Sequence, residues 1–128
     1  MLKRLAPILA VAVLAAACAR PEQPAASTSA SPAAGSNTER GKALASQYGC
    51  NVCHAIPAVA GPAGSLGPSL AQFATRPTFS NGTVQTTHAN LTKYLIEPAS
   101  VNPQPSMPAV GVNAADAGDI AAYLLTLK

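Results

Sequence analysis

Cys50-Asn51-Val52-Cys53-His54 packs two thiols and an imidazole into one short stretch. The chain has one other cysteine, Cys18, and one other histidine, His88. Three chemistries use such a cluster. A redox dithiol lies near a βαβ pattern at a helix N-terminus, and no β-branched strand run precedes Cys50. A structural zinc ion takes four protein ligands; the cluster offers three, and there is no second C-x-x-C. Covalent haem attachment has C-x-x-C-H as its signature. Each thiol adds to one vinyl group as a thioether, and the spacing sets both sulfurs over one edge of the macrocycle. The adjacent imidazole then reaches the iron as proximal ligand. This third reading is the one the sequence favours, because C-x-x-C-H is its specific signature.

The start of the chain is an export signal. Lys3 and Arg4 precede an apolar run over 5–19, shorter than the ~20 residues a spanning helix needs and typical of a secretory signal peptide. The run ends in "LAAAC", small residues directly before Cys18, which resembles a bacterial lipoprotein signal. Cleavage after Ala17 or Ala19 is the alternative. Once haem takes Cys50 and Cys53, Cys18 is an unpaired thiol in an exported protein, which favours its acylation. Residues 1–17 are therefore read as signal peptide, and the protein is placed on the periplasmic side of a bacterial membrane, lipid-anchored, with a soluble periplasmic form as alternative. Export suits the haem reading: in an oxidising compartment a lone C-x-x-C tends to close as a disulfide, and thioethers remove that fate.

Residues 18–37 are read as the lipidated cysteine and a disordered tether. "ARPEQPAASTSASPAAGSN" has no large apolar residue and buries too little surface to fold. As a flexible coil it spans roughly 25 Å. The domain is assigned to 38–128. It has few aromatics and no tryptophan, and a buried haem supplies the core that such a small domain lacks. Thr38 is placed to cap "ERGKALASQYG", Asn90 or Thr87 to open "LTKYLIE", and Asn113 to cap "AADAGDIAAYLLTLK". Ile120, Tyr123, Leu124 and Leu127 form one apolar stripe on the last helix. The Pro- and Gly-rich stretches between show no strand alternation. The expected fold is all-α, a few short helices with long loops that wrap something.

Haem held by His54 leaves a second axial position. Met107, in "QPSMPAV", is the one methionine besides the start residue. Flanking prolines hold that loop extended and present its thioether, and a Met partner raises the reduction potential relative to two histidines. The plain alternative for Met107 is a gap-filling side chain. His88, in "QTTHANL", is the rival ligand; a lone histidine in a polar loop more often faces solvent, and Met107 is preferred.

With Cys50-x-x-Cys53-His54 near its start, "GPSL", a downstream "MP" and the terminal helix "DIAAYLLTL", the stretch 38–128 resembles a class I cytochrome c. The resemblance implies an electron carrier with one covalent haem c and no catalytic site. It implies that the Pro68 carbonyl accepts from the other His54 nitrogen and that Leu70 packs on the haem. It also matches Gly41 to the small residue where first and last helices cross, and Tyr123 to the aromatic of the last helix. Ala45 stands where the first helix normally puts an aromatic, implying a weaker contact. The run from "GPSL" to "MPAVGV" is similar to the cytochrome c domain of terminal oxidase subunit II, which implies that Arg76 pairs with a haem propionate. No copper-binding sequence or transmembrane pair stands ahead of the motif, so a separate carrier is expected rather than that subunit. Bundles of the c′ type carry their motif near the C-terminus and do not fit.

The expected partners are redox proteins: a membrane oxidase, a dehydrogenase or another cytochrome. A monomer is expected, and no nucleic acid partner. A fixed subunit of a dehydrogenase or oxidase complex is the alternative. A haem peroxidase or gas-binding protein requires that Met107 does not ligate, and no histidine or arginine flanks Met107 to assist it. From Thr38 onward Arg40, Lys42, Arg76, Lys93 and Lys128 oppose Glu39, Glu97, Asp116 and Asp119. The basic excess of the chain therefore lies in Lys3, Arg4 and Arg20, not in the domain. No lysine ring surrounds the motif, which implies docking through an apolar patch at the haem edge, with Ile56 and Val110 as its expected members.

Overall fold

A computed structural model of the chain describes residues 36–128. The signal segment, Cys18 and the tether up to residue 35 lie outside the described residues. Four helices follow in order: α1 (Thr38–Gln47), α2 (Cys50–Cys53), α3 (His88–Ile96) and α4 (Ala114–Leu124). Two short 3₁₀ turns, Phe73–Thr75 and Pro98–Ser100, interrupt the loops.

The helix starts follow side-chain capping. Asn113 accepts from Asp116 N–H at 3.0 Å and opens α4, and Thr87, not Asn90, opens α3 by accepting from Asn90 N–H. At α1 the cap is Asn37, whose Oδ1 accepts from Arg40 N–H at 2.9 Å. Thr38, expected there, is the first helical residue. Both side chains suit a cap, and Asn37 gains a second tie because its own N–H donates to Asp119 Oδ1 at 2.9 Å.

One feature departs from a purely helical reading. Two-residue strands β1 (Thr78–Phe79) and β2 (Val84–Gln85) pair antiparallel, with Phe79 opposite Val84. Ser80, Asn81 and Gly82 of the connecting turn all have positive φ. Such short strands carry no readable alternation, and their signal is the turn chemistry of "SNG".

Helices α1 and α4 cross at Gly41. A Cβ there would run into the Asp119 carbonyl and come within 3.0 Å of Tyr123 Cβ, so only glycine permits the approach. Ala45 is fully buried at the same crossing. Polar links also join the two helices. Arg40 forms ion pairs with both Asp116 and Asp119 of α4. Tyr48, just past α1, donates its hydroxyl to Asp116 Oδ2 at 2.7 Å, and Asn113 Nδ2 donates to the same oxygen. The Tyr123 hydroxyl reaches across to the Pro57 carbonyl at 2.6 Å. The C-terminus is pinned as well, Ala74 N–H donating to Leu127 O at 2.8 Å.

The Tyr48 hydroxyl, followed by Arg40 and Asn113, holds the Asp116 carboxyl below the usual carboxylate range. A depressed folded pKa stabilises the protein above the unfolded value of about 3.9, and that stabilisation is lost as pH falls through the folded value. Acid unfolding followed by circular dichroism should therefore lose a step below about pH 4 in Asp116→Asn, which should also be less stable than wild type at pH 7. An unchanged acid transition in that variant would show that the crossing does not depend on this carboxylate.

Candidate functional site

The C-x-x-C-H segment is shaped by Gly49, whose φ of 71° turns the chain from α1 into the single turn of α2. Cys50 and Cys53 open and close that turn, and His54 follows in extended backbone. The next sixteen residues fold back on this turn. Gly67 N–H donates to Cys53 O at 2.8 Å and Leu70 N–H to Ala55 O at 2.9 Å. These two bonds bring Pro68 beneath the imidazole, and His54 Nδ1 donates to the Pro68 carbonyl at 2.7 Å. That bond fixes the tautomer and aims Nε2 away from the loop. Gly67 makes the fit possible, because a Cβ there would fall 2.6 Å from His54 Nδ1.

A cavity of about 640 Å³ lies at the centre of the domain, within the ~300–1,000 Å³ typical of small-molecule and cofactor sites. Cys50, Cys53, His54, Pro68, Leu70, Arg76 and Met107 all line it. Burial pushes the Cys50 thiol up from its ordinary pKa. Leu70 is buried in the wall. So are Phe73, Phe79 and Tyr94, with Phe79 edge-on to Tyr94 at 5.1 Å between centroids. With Tyr48, four of the five aromatics of the chain face this one space. The low aromatic content is thus concentrated where a large planar group would sit.

The polar part of the wall comes from Arg76 and the hairpin turn Ser80–Gly82. Arg76 Nη2 donates to Ser69 O at 2.7 Å and to Ala71 O at 2.9 Å, which leaves its Nε and Nη1 donors. Its guanidinium also lies over the Phe73 ring, 5.8 Å from the centroid. The side chain is therefore held by the loop it follows while bordering the cavity.

His88 is elsewhere. It stands at the start of α3 and its Nε2 donates to Gly118 O at 2.9 Å, tying α3 to α4. Ser36 Oγ lies 3.3 Å from the same nitrogen. His88 is not among the residues of the cavity wall.

The donor set fits a covalent haem. Two thiols stand one helical turn apart, an imidazole has its second nitrogen engaged, and a thioether and an aromatic-rich wall border the same volume. Sequence reasoning did not find Tyr48, Asn81 or Leu66, which also line the cavity. Tyr48 was legible only as the residue before Gly49, and the other two lie in loops whose paths local sequence does not set. Ile56, expected on an exposed patch, is 8% exposed and faces inward. The fold-back that bonds Leu70 to Ala55 covers it.

A family model described as Cytochrome c matches residues 38–128. That stretch begins at the first residue of α1. A search of curated proteins finds no match to the chain.

Proposed function

Because the chain belongs to the cytochrome c family, whose members bind haem c covalently, we propose that it is a monohaem class I electron carrier. Cys50 and Cys53 hold the haem, and His54 and Met107 are its axial ligands. The observation that carries this reading is the shared cavity: both thiols, His54 and Met107 border it, and His88 does not. When bound, the haem supplies one-electron chemistry, its iron passing between two charge states. The chain does the rest. Pro68 orients His54 through Nδ1. Leu70, Phe73 and Tyr94 exclude water from the wall, and Arg76 offers its remaining donors to a propionate. With two protein ligands on the iron, no position is open for a substrate, which favours a carrier over a peroxidase or gas binder.

The likeness of 67–112 to oxidase subunit II domains supports a respiratory or dehydrogenase partner. With Cys18 acylated and residues 19–37 as a tether, the domain would be a leashed carrier, held at raised effective concentration near membrane enzymes. A fixed subunit would share this chemistry with a permanent partner, and the long tether favours the shuttling carrier.

Charge is sparse where a partner meets the cavity mouth. Arg76 is the one formally charged side chain of the wall. Leu66 is 87% exposed and Val110 40% exposed, and both border the cavity. Val52, 59% exposed, stands between the two thioether cysteines. Arg40 is occupied by Asp116 and Asp119 at the helix crossing, and Lys42 and Lys93 lie outside the wall. The docking patch is therefore assigned to Leu66, Val52 and Val110.

Three outcomes follow. Met107→Ala should abolish the weak long-wavelength charge-transfer band of ferric iron–thioether ligation and open the iron to cyanide or carbon monoxide. His88→Ala should leave the band intact, and its loss there would reverse the ligand assignment. Electron-transfer rates with the physiological partner should change little between low and physiological salt, where a charge-steered pair slows steeply. Leu66→Glu or Val110→Glu should slow transfer more than neutralising Lys42 or Lys93. Mass spectrometry of membrane-extracted protein should show acyl groups on Cys18, and Cys18→Ser should release it. A mature chain starting beyond Cys18 would eliminate the anchor, because the residue that carries the acyl groups would be gone; one acyl chain alone binds membranes only weakly, so the full lipoprotein modification is the one expected.

A further inference from the structure

The loop that carries Met107 has little backbone to hold it. Pro103, Pro105 and Pro108 have no N–H. Among the described residues, the segment Pro103–Val112 makes one hydrogen bond, from Gln104 N–H to Asn102 Oδ1 at 3.0 Å. Gly111, at φ 75°, has nothing within 4 Å of where a Cβ would stand. The loop is thus fixed at its exit by buried Val112 and at its entrance by Asn102.

Asn102 does more than start the loop. It is 8% exposed, and its Nδ2 donates to Ser80 Oγ at 2.8 Å. The amide orientation follows from its partners: Gln104 N–H needs the oxygen, so the nitrogen faces Ser80. Ser80 belongs to the turn between β1 and β2, which borders the cavity as Met107 does. The turn is itself stiffened, with Thr83 Oγ1 donating to Ser80 O at 2.6 Å. One buried carboxamide therefore joins two loops that have no other hydrogen bond to each other among the described residues.

We infer that Asn102 is a positioning residue for Met107, clasping the methionine loop to the Ser80 turn so that the thioether stays on the iron. The inference rests on Met107 as axial ligand. Both contacts of the carboxamide act on that placement: Oδ1 sets the path into the loop, and Nδ2 fixes it against the turn. Without them the loop is held by packing alone, and the thioether leaves more often.

Cyanide binding to the ferric holoprotein reads this, because cyanide enters only when the sixth position opens. Ser80→Ala and Asn102→Ala should each speed cyanide binding roughly three- to tenfold, the range one or two lost neutral hydrogen bonds give. Adding Ser80→Ala to Asn102→Ala should change nothing further, since the shared bond is already gone. Ser46→Ala removes a hydrogen bond to Ala60 O at 3.1 Å beside α1 and should leave the rate at the wild-type value. Wild-type rates in both clasp variants, with fast binding in Met107→Ala, would overturn the clasp and keep the ligand. Equal acceleration by Ser46→Ala would also overturn it, marking a general loosening. Slow binding in Met107→Ala would remove the ligand assignment and the clasp together. If Asn102→Ala does not accumulate folded, Ser80→Ala decides the matter alone.

Discussion

A domain of this size that surrounds a cavity of about 640 Å³ is not closed by its own side chains. Of its sixteen buried apolar residues, ten border that space. Leu91 and Leu95 of α3, Ile120 and Leu124 of α4, and Phe73 and Phe79 of the loops all converge on it. Small domains without sufficient core depend on staples, and here the staple is the haem that the family binds covalently. A group bound only by the folded chain contributes its binding free energy to folding. Thioether bonds go further, because the group cannot be lost when the chain opens. The C-x-x-C-H motif is therefore as much a structural device as a redox one.

Helices α1 and α4 are also tied to each other directly, apart from the cavity wall. Helices α1 and α4 meet over Gly41 with the Arg40, Asp116, Asp119 and Tyr48 network along one side. Asp116 is buried with its carboxylate fully partnered, the condition under which a buried charge is tolerated. Tyr48 links this network to the cavity, since its ring borders the space while its hydroxyl reaches α4. Ala45, fully buried, presents a small side chain to the cavity wall.

The parts legible in the sequence were those encoded by local chemistry. Cys50, Cys53 and His54 lie within five residues of one another, so their placement at one site needs no tertiary knowledge. The capping positions Thr87 and Asn113 sit directly before apolar-periodic runs, and Ile120, Tyr123 and Leu124 of α4 are readable by spacing, whereas Leu127, expected on the same stripe, lies beyond the helix end at Leu124. The remainder depends on contacts across the chain. Asn37 takes the α1 cap over Thr38 because Asp119, far along the sequence, receives its N–H. Ile56 reads as a surface residue of an apolar loop until the bond from Leu70 to Ala55 folds the chain over it. Leu66, in a run of glycine, proline and serine, reads as nothing in particular and proves the most exposed large apolar side chain described. Asn102 looks like an ordinary turn residue, and its reach to Ser80 appears only once the hairpin is in place.

The segments that bring His54 and Met107 to the cavity are built on different principles. On the His54 side, backbone bonds from Gly64 to Asn51, Gly67 to Cys53 and Leu70 to Ala55 lock the loop to the α2 turn, and the imidazole is oriented by Pro68. In the proposed attachment Cys50 and Cys53 lie on this same turn, so ligand and anchor would move as one body. On the Met107 side, order comes from proline and from one buried carboxamide. Proline restricts the unfolded chain as much as it shapes the folded one, so it lowers the entropy cost of placing the thioether without adding contacts. A carrier needs both ligands in the same place in either oxidation state, since any rearrangement on electron transfer adds to the barrier. A rigid histidine side and a stiff but sparsely bonded methionine side meet that need. With Met107 as the proposed ligand, the methionine side would be the one where small changes in sequence alter the iron while the fold stays intact.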